Sequence, residues 1–216
     1  MLKIFNKSTF VGTAVLIFGI CVLVAGIKEF IYIHQPAVDI YETTDWTILE
    51  NGTHVRTDLD YIETFFYYRI NKKTGEEAAR AYLVPNLVFT DEGVYVEEYI
   101  GVMVKADEGF ESYNTAVQNS SKWWNDYTGE VEFPRPTIQV DGYLRKMKEA
   151  EYKSLVQYIS YMWGVSEQEA KEYICPYMII NCDVKETKKG LLGAGIIVML
   201  GLGTVLMGVI SGLRKR

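Results

Sequence analysis

What the chain has little of narrows its chemistry first. Only two histidines occur among its 216 residues, His34 and His54, so an imidazole-based transition-metal site is excluded. Three cysteines are too few for a disulfide framework, and Cys21 lies inside an apolar run. The other two, Cys175 and Cys182, match no zinc spacing. A strand between them, advancing about 3.3 Å per residue, carries their Cα atoms beyond bridging reach. No glycine-rich loop opens a helix to hold phosphate. Basic runs are missing too. From Lys28 to Lys189 the chain has 17 basic residues against 28 acidic ones, a net charge of −11. Such a stretch repels polyanions, which excludes nucleic acid as a partner and favours a cationic one.

Acidic residues are absent from both ends, and there the apolar residues concentrate. Phe10 to Ile27 reads FVGTAVLIFGICVLVAGI, 18 residues without a charge, which as a helix span about 27 Å and cross a hydrocarbon core. Gly190 to Leu213 is also uncharged and is stopped by Arg214-Lys215-Arg216. The first run lacks an A-x-A cleavage pattern and reads as a retained anchor; the second, being C-terminal, cannot be a signal peptide. The expected layout is a tail over 1–9, transmembrane helices over 10–33 and 190–213, a domain over 34–189 and a tail over 214–216. Lys3, Lys7 and the three terminal basic residues outnumber Lys28, Lys185, Lys188 and Lys189 on the inner flanks. This bias puts both termini in the cytoplasm and the domain outside the plasma membrane. Ionisable groups within the spans, which a transport accessory would need, are lacking. Gly12, Gly19 and Gly26 in the first run, and Ala194, Gly201 and Gly208 in the second, recur at heptad spacing, as closely packed membrane helices require. Gly208-x-x-x-Gly212 leaves a homo-oligomer open.

The middle of the chain reads as α+β. Val55, Thr57, Leu59 and Tyr61 alternate with Arg56, Asp58 and Asp60, and Phe65-Phe66-Tyr67-Tyr68 continues that strand. A turn at 71–76 leads to a second strand at Ala81 to Val84, ending near Pro85. Val94, Val96, Ile100, Val102 and Val104 define a third. Phe110, Tyr113, Val117, Trp124 and Tyr127 form one helical stripe. Ile138, Val140 and Leu144 mark a fourth strand, and Tyr152 to Trp163 a second helix that stops at Gly164. Ser166 to Glu169 is a capping box with a staple between Val165 and Ala170. Pro176 then precedes a last strand, Tyr177 to Asn181. With about three helices, this order fits a five-stranded OB-like barrel, or a plain sheet with helices on one face.

No residue is assigned a catalytic, metal or cofactor role. Asp58 and Asp60 share a strand face and resemble paired carboxylates, but nothing around them builds a cation loop, so they read as a solvated face. Glu97-Glu98 and Asp107-Glu108 read the same way. His54 is an isolated imidazole without a nucleophile. Trp123 is a loose candidate for stacking on a ligand, whereas Trp124 belongs to the core stripe. Asn51-Gly52-Thr53 and Asn119-Ser120-Ser121 are formal glycosylation sequons.

The stretches Tyr82-Leu83-Val84-Pro85, Glu98 to Lys105, Val140 to Met147 and Cys175-Pro176-Tyr177 resemble a family of uncharacterised two-span membrane proteins from Gram-positive bacteria. That resemblance implies a bacterial plasma membrane and carries no activity or functional residue. The expected function is an extracytoplasmic interaction or binding module, partnered with the membrane and with another membrane or envelope protein. The alternative is an enzyme using carboxylate acid-base chemistry at the membrane surface.

Overall fold

The computed structural model describes residues 7–43, 46–126, 128–135, 138–182 and 184–214. They form two units, one from the two ends of the chain and one spanning Gln35–Cys182. Tyr127 of the proposed helical stripe lies outside the described residues.

The first unit is a helix pair, α1 (Lys7–Tyr32) with α5 (Val184–Arg214). Within it Thr9–Tyr32 and Thr187–Ser211 are long and apolar enough to cross a membrane. The helices run antiparallel and touch through their small residues. A β-carbon on Gly12 would lie 2.8 Å from the Val205 backbone nitrogen, and one on Gly26 3.0 Å from Leu191. One on Gly201 would lie 2.7 Å from the Leu16 nitrogen. Ala194 and Gly208 are buried as well. The heptad spacing therefore marks the packing seam, where backbones approach because nothing projects between them.

The second unit is an open, mixed six-stranded sheet ordered β1-β5-β6-β4-β3-β2. Its strands are β1 (His54–Leu59), β2 (Thr64–Ile70), β3 (Glu77–Thr90), β4 (Gly93–Lys105), β5 (Ile138–Lys146) and β6 (Ile174–Asn181). The pairing of β4 with β6 is parallel and the others are antiparallel. Helices α2 (Glu111–Trp124) and α3 (Glu149–Trp163) cover opposite faces. Tyr113 and Ala116 of α2 pack with Val84, Val102 and Leu144, while Leu155, Val156 and Ile159 of α3 pack with Ala81, Leu83 and Met178. Short α4 (Glu167–Ala170) carries the expected capping box, with Ser166 Oγ accepting from Glu169 N–H and Glu169 Oε2 from Ser166 N–H.

Three expectations change. The sheet is open and has six strands, so it does not close into an OB-like barrel, and its helices are on both faces. The stretch from Val55 to Tyr68 is two strands at opposite edges of the sheet. Its crossing segment keeps apolar residues inside, with Tyr61 and Ile62 buried and Ile62 N–H donating to Ser120 Oγ of α2 at 3.1 Å. Uninterrupted burial is why the alternation shows no break there. Pro85 does not end its strand, and Pro176, expected to precede the last one, lies inside it. The Leu83 carbonyl accepts from Glu63 N–H, so Pro85, two residues on, presents its missing N–H to the side where β2 has already stopped. Pro176 lies at the irregularity of the β4–β6 ladder, before β5 pairing starts at Tyr177.

Candidate functional site

β2 stops at Thr64, opposite Leu83, whereas β3 and β4 continue as a hairpin. Past this point, among the described residues, the edge of β3 has no strand beside it. The last turn of α2 and the last turn of α3 border the same place, and a cleft of about 730 Å³ opens there. It lies entirely within the second unit. Its size is that of a small-molecule site.

Glu63, in the link that leads into β2, supplies the carboxylate of the cleft. Tyr158 Oη donates to Glu63 Oε1 at 3.2 Å, and the Tyr99 hydroxyl also favours the charged form of this carboxylate. Trp163 Nε1 donates to Tyr99 Oη at 3.2 Å, fixing the hydroxyl from behind. The two rings meet edge-on with centroids 6.1 Å apart. Burial raises the Glu63 carboxyl above its usual value, and the two hydroxyls offset part of that rise. Burial and then the Glu63 charge push the hydroxyls of Tyr61, Tyr99 and Tyr158 up in turn. The described lining contains no lysine, arginine or histidine, so the protein brings no cation to this carboxylate.

The other wall is aromatic. Trp124 is 51% exposed and lines the cleft, with Tyr61 edge-on at 6.4 Å. Trp123 turns into a cluster with Tyr61, Phe89 and Phe133, perpendicular to the Phe133 ring at 4.9 Å. The expected roles of the two tryptophans are thus exchanged. The stripe does run through Trp124, but α2 ends beyond the sheet edge, so its last turn has no core beneath it. Tyr95, Met162 and Trp163 are also exposed at the cleft.

The carboxylates singled out in the sequence do not meet there. Asp58 is exposed on β1 and accepts from Gln139 Nε2 at 3.2 Å. Asp60 lies past the strand end, half-buried, and burial raises its carboxyl despite a bond from the Tyr41 hydroxyl. Glu97 is exposed, whereas Glu98 is buried and its Oε2 accepts the Trp46 N–H at 2.8 Å. Asp107 and Glu108 are exposed, and Glu108 accepts from Asn181 Nδ2 at 2.9 Å. Of the sequon asparagines, Asn51 accepts from Lys146 N–H and Asn119 is exposed on α2. None of the three cysteines is in a disulfide, and burial pushes the Cys175 thiol up to about 11. Among the described residues no three His, Cys, Asp or Glu side chains gather as a metal site would need.

His54 is not isolated. The β1–β5 ladder sets Arg56 opposite Asp141, and His54 Nε2 lies 2.7 Å from Asp141 Oδ1, with Nδ1 2.7 Å from the Gln35 carbonyl. Arg56 donates twice to Asp141 Oδ2, and the Asp141 carbonyl accepts the Cys182 N–H. The two ends of the domain, Gln35 and Cys182, are therefore tied to the bonded pair His54 and Asp141. A partner 87 positions away is invisible to local motif reading.

The sequence profile of a family described as "Domain of unknown function (DUF8577)" matches residues 2–213. No match was found among curated proteins or among solved structures.

Proposed function

The chain belongs to the DUF8577 family, and we propose that it serves as a membrane-anchored binding module whose ligand enters the cleft around Glu63. The observation that carries this reading is the cleft itself: a cavity of about 730 Å³ with exposed Trp124, Tyr95 and Trp163 around a half-buried carboxylate. Large exposed aromatics are costly on a soluble surface unless something covers them. Their rigid rings contribute contact area with little loss of side-chain freedom.

Acid-base catalysis is supported less. Glu63 has the raised carboxyl that a general acid would need. Among the described lining residues, however, no second carboxylate, histidine, cysteine or lysine accompanies it as a nucleophile or a paired base. In our reading both apolar helices cross the plasma membrane of a bacterial cell, both termini are cytoplasmic, and the domain faces outwards. The antiparallel run of the two helices supports this reading, since it carries the chain back to the side from which the first helix started. Anchoring at both ends confines the cleft to ligands near the membrane.

A photo-crosslinking residue in place of Tyr95, at the cleft, and of Gln139, on exposed β5 surface, tests the binding site in intact cells. A discrete adduct is expected from position 95 and not from 139. Identical adduct patterns from both, or none from either, would overturn the assignment of the cleft. A membrane-impermeant protease should remove the domain while tags on both termini stay protected, and the reverse pattern would invert the orientation.

A further inference from the structure

We propose that the ligand is a small organic cation bearing a quaternary ammonium group, seated against the Glu63 carboxylate and the surrounding aromatic rings. This rests on the binding reading above and specifies its chemistry.

Four observations converge on a cation. Glu63 is recessed beside two neutral hydroxyls, Tyr99 and Tyr158, and the described lining of the cleft holds no lysine, arginine or histidine to balance it. Removing a carboxylate from water without a counter-ion is unfavourable, and a ligand cation relieves that penalty. Secondly, the cleft is bordered by two helix C-termini, Trp124-Asn125 of α2 and Trp163 of α3. A helix C-terminus carries partial negative charge, which adds to that of Glu63. Thirdly, the lining is rich in aromatic rings, among them Tyr61, Tyr95, Trp124 and Trp163, and a cation within about 6 Å of a ring face is attracted to it. Fourthly, the −11 stretch from Lys28 to Lys189 raises the local concentration of cations.

The remaining lining decides which cation. A calcium or magnesium ion takes six or more oxygen ligands, and one carboxylate cannot replace its hydration shell. A primary ammonium donates three hydrogen bonds, and of the acceptors here Glu63 Oε1 already takes the Tyr158 O–H and Tyr99 Oη the Trp163 N–H. Leu87, Val96, Val117 and Met162 present methyl groups in between. Methyl-clad, weakly hydrated positive charge complements such a surface and requires no acceptor.

The test uses the full chain in a non-ionic detergent, titrated with choline and with its neutral carbon isostere dimethylbutanol, at constant ionic strength. Isothermal titration calorimetry reads binding, and fluorescence from Trp124 and Trp163 reads occupancy of the cleft. Choline should bind saturably and the isostere about 10-fold more weakly, the scale of cation–π and counter-ion contributions together. Glu63→Gln should narrow the gap between choline and the isostere several-fold, leaving the part that the aromatic rings contribute, while circular dichroism stays unchanged. Should that variant fail to fold, Trp163→Leu replaces it and should weaken choline about 10-fold. Equal binding of the two probes, or no saturable binding of choline, would overturn the cation assignment. If the Tyr95 adduct persisted in that case, the binding reading would stand with a different ligand; if both vanished, both would fall.

Discussion

Replacing Asp141 by alanine removes its carboxylate contacts to His54 and Arg56 while its carbonyl keeps the Cys182 N–H, and the structure apportions the loss. Its carboxylate makes one contact with His54, 4% exposed, and two with Arg56, 56% exposed. The exposed pair contributes at most about 1 kcal/mol. A hydrogen bond to a charged group contributes about 1.5–3 kcal/mol, and a buried imidazole left without its acceptor adds to the loss. Asp141→Ala should therefore destabilise the domain by about 2–4 kcal/mol, whereas Arg56→Ala should cost about 1 kcal/mol or less. For a domain near 150 residues the first corresponds to a melting temperature lowered by roughly 5–15 °C. Burial alone would raise the Asp141 carboxyl, but the His54 and Arg56 contacts outweigh it and hold the carboxyl below its usual value. A depressed carboxylate stabilises the fold above its unfolded pKa and loses that contribution as pH falls through the folded one. The gap between wild type and Asp141→Ala should accordingly narrow below about pH 4. Differential scanning calorimetry of the full chain in detergent reads both effects. If the two variants melted alike at neutral pH, His54 would not be the residue through which Asp141 acts.

Three other outcomes follow from named contacts. Gly201→Val pushes methyl groups into the Leu16 backbone and should weaken the helix pair by about 1–3 kcal/mol. Gly195→Val, at a position with nothing within 4 Å, should not; titration with SDS, read by a fluorophore pair on the helix ends, separates them. Choline affinity should rise with pH through the Glu63 carboxyl, whose value burial places above the usual glutamate range. The groups facing it, Tyr61, Tyr99 and Tyr158, are themselves pushed up by burial, so no second transition should appear below about pH 10, and an affinity independent of pH from 4 to 8 would exclude Glu63 as the counter-ion. Native-state alkylation should label Cys182 and spare buried Cys175, and non-reducing mass spectrometry should show no bridge between them.

Local pattern made much of the scaffold legible. The apolar ends, the heptad glycines, the β4 alternation, the α3 stop at Gly164 and the Ser166 capping box all depend on neighbours within a few residues. What escaped depends on distance. Nothing between Leu59 and Phe65 signals that the chain crosses to the far edge, because Tyr61 and Ile62 are as buried as strand residues. Pro85 reads as a stop, yet it is tolerated because β2 ends before reaching it. Helices on opposite faces follow from the parallel β4–β6 pairing, which no single segment encodes. The cleft was hidden for the same reason. Glu63 is the only charge between Tyr61 and Tyr68, a signal available in the sequence, but its aromatic partners come from β4, α2 and α3.

The central claim, that the cleft is covered by a ligand where the protein works, is tested most directly by oxidative footprinting of tryptophan in intact cells and in the purified chain. Trp46, fully buried, provides the unreactive reference, and Tyr161, 85% exposed and outside the cleft, the reactive one. Mass spectrometry should find Trp124 and Trp163 oxidised readily after purification and protected in cells, while Tyr161 reacts equally in both. Equal oxidation of Trp124 and Trp163 in both settings would contradict the account.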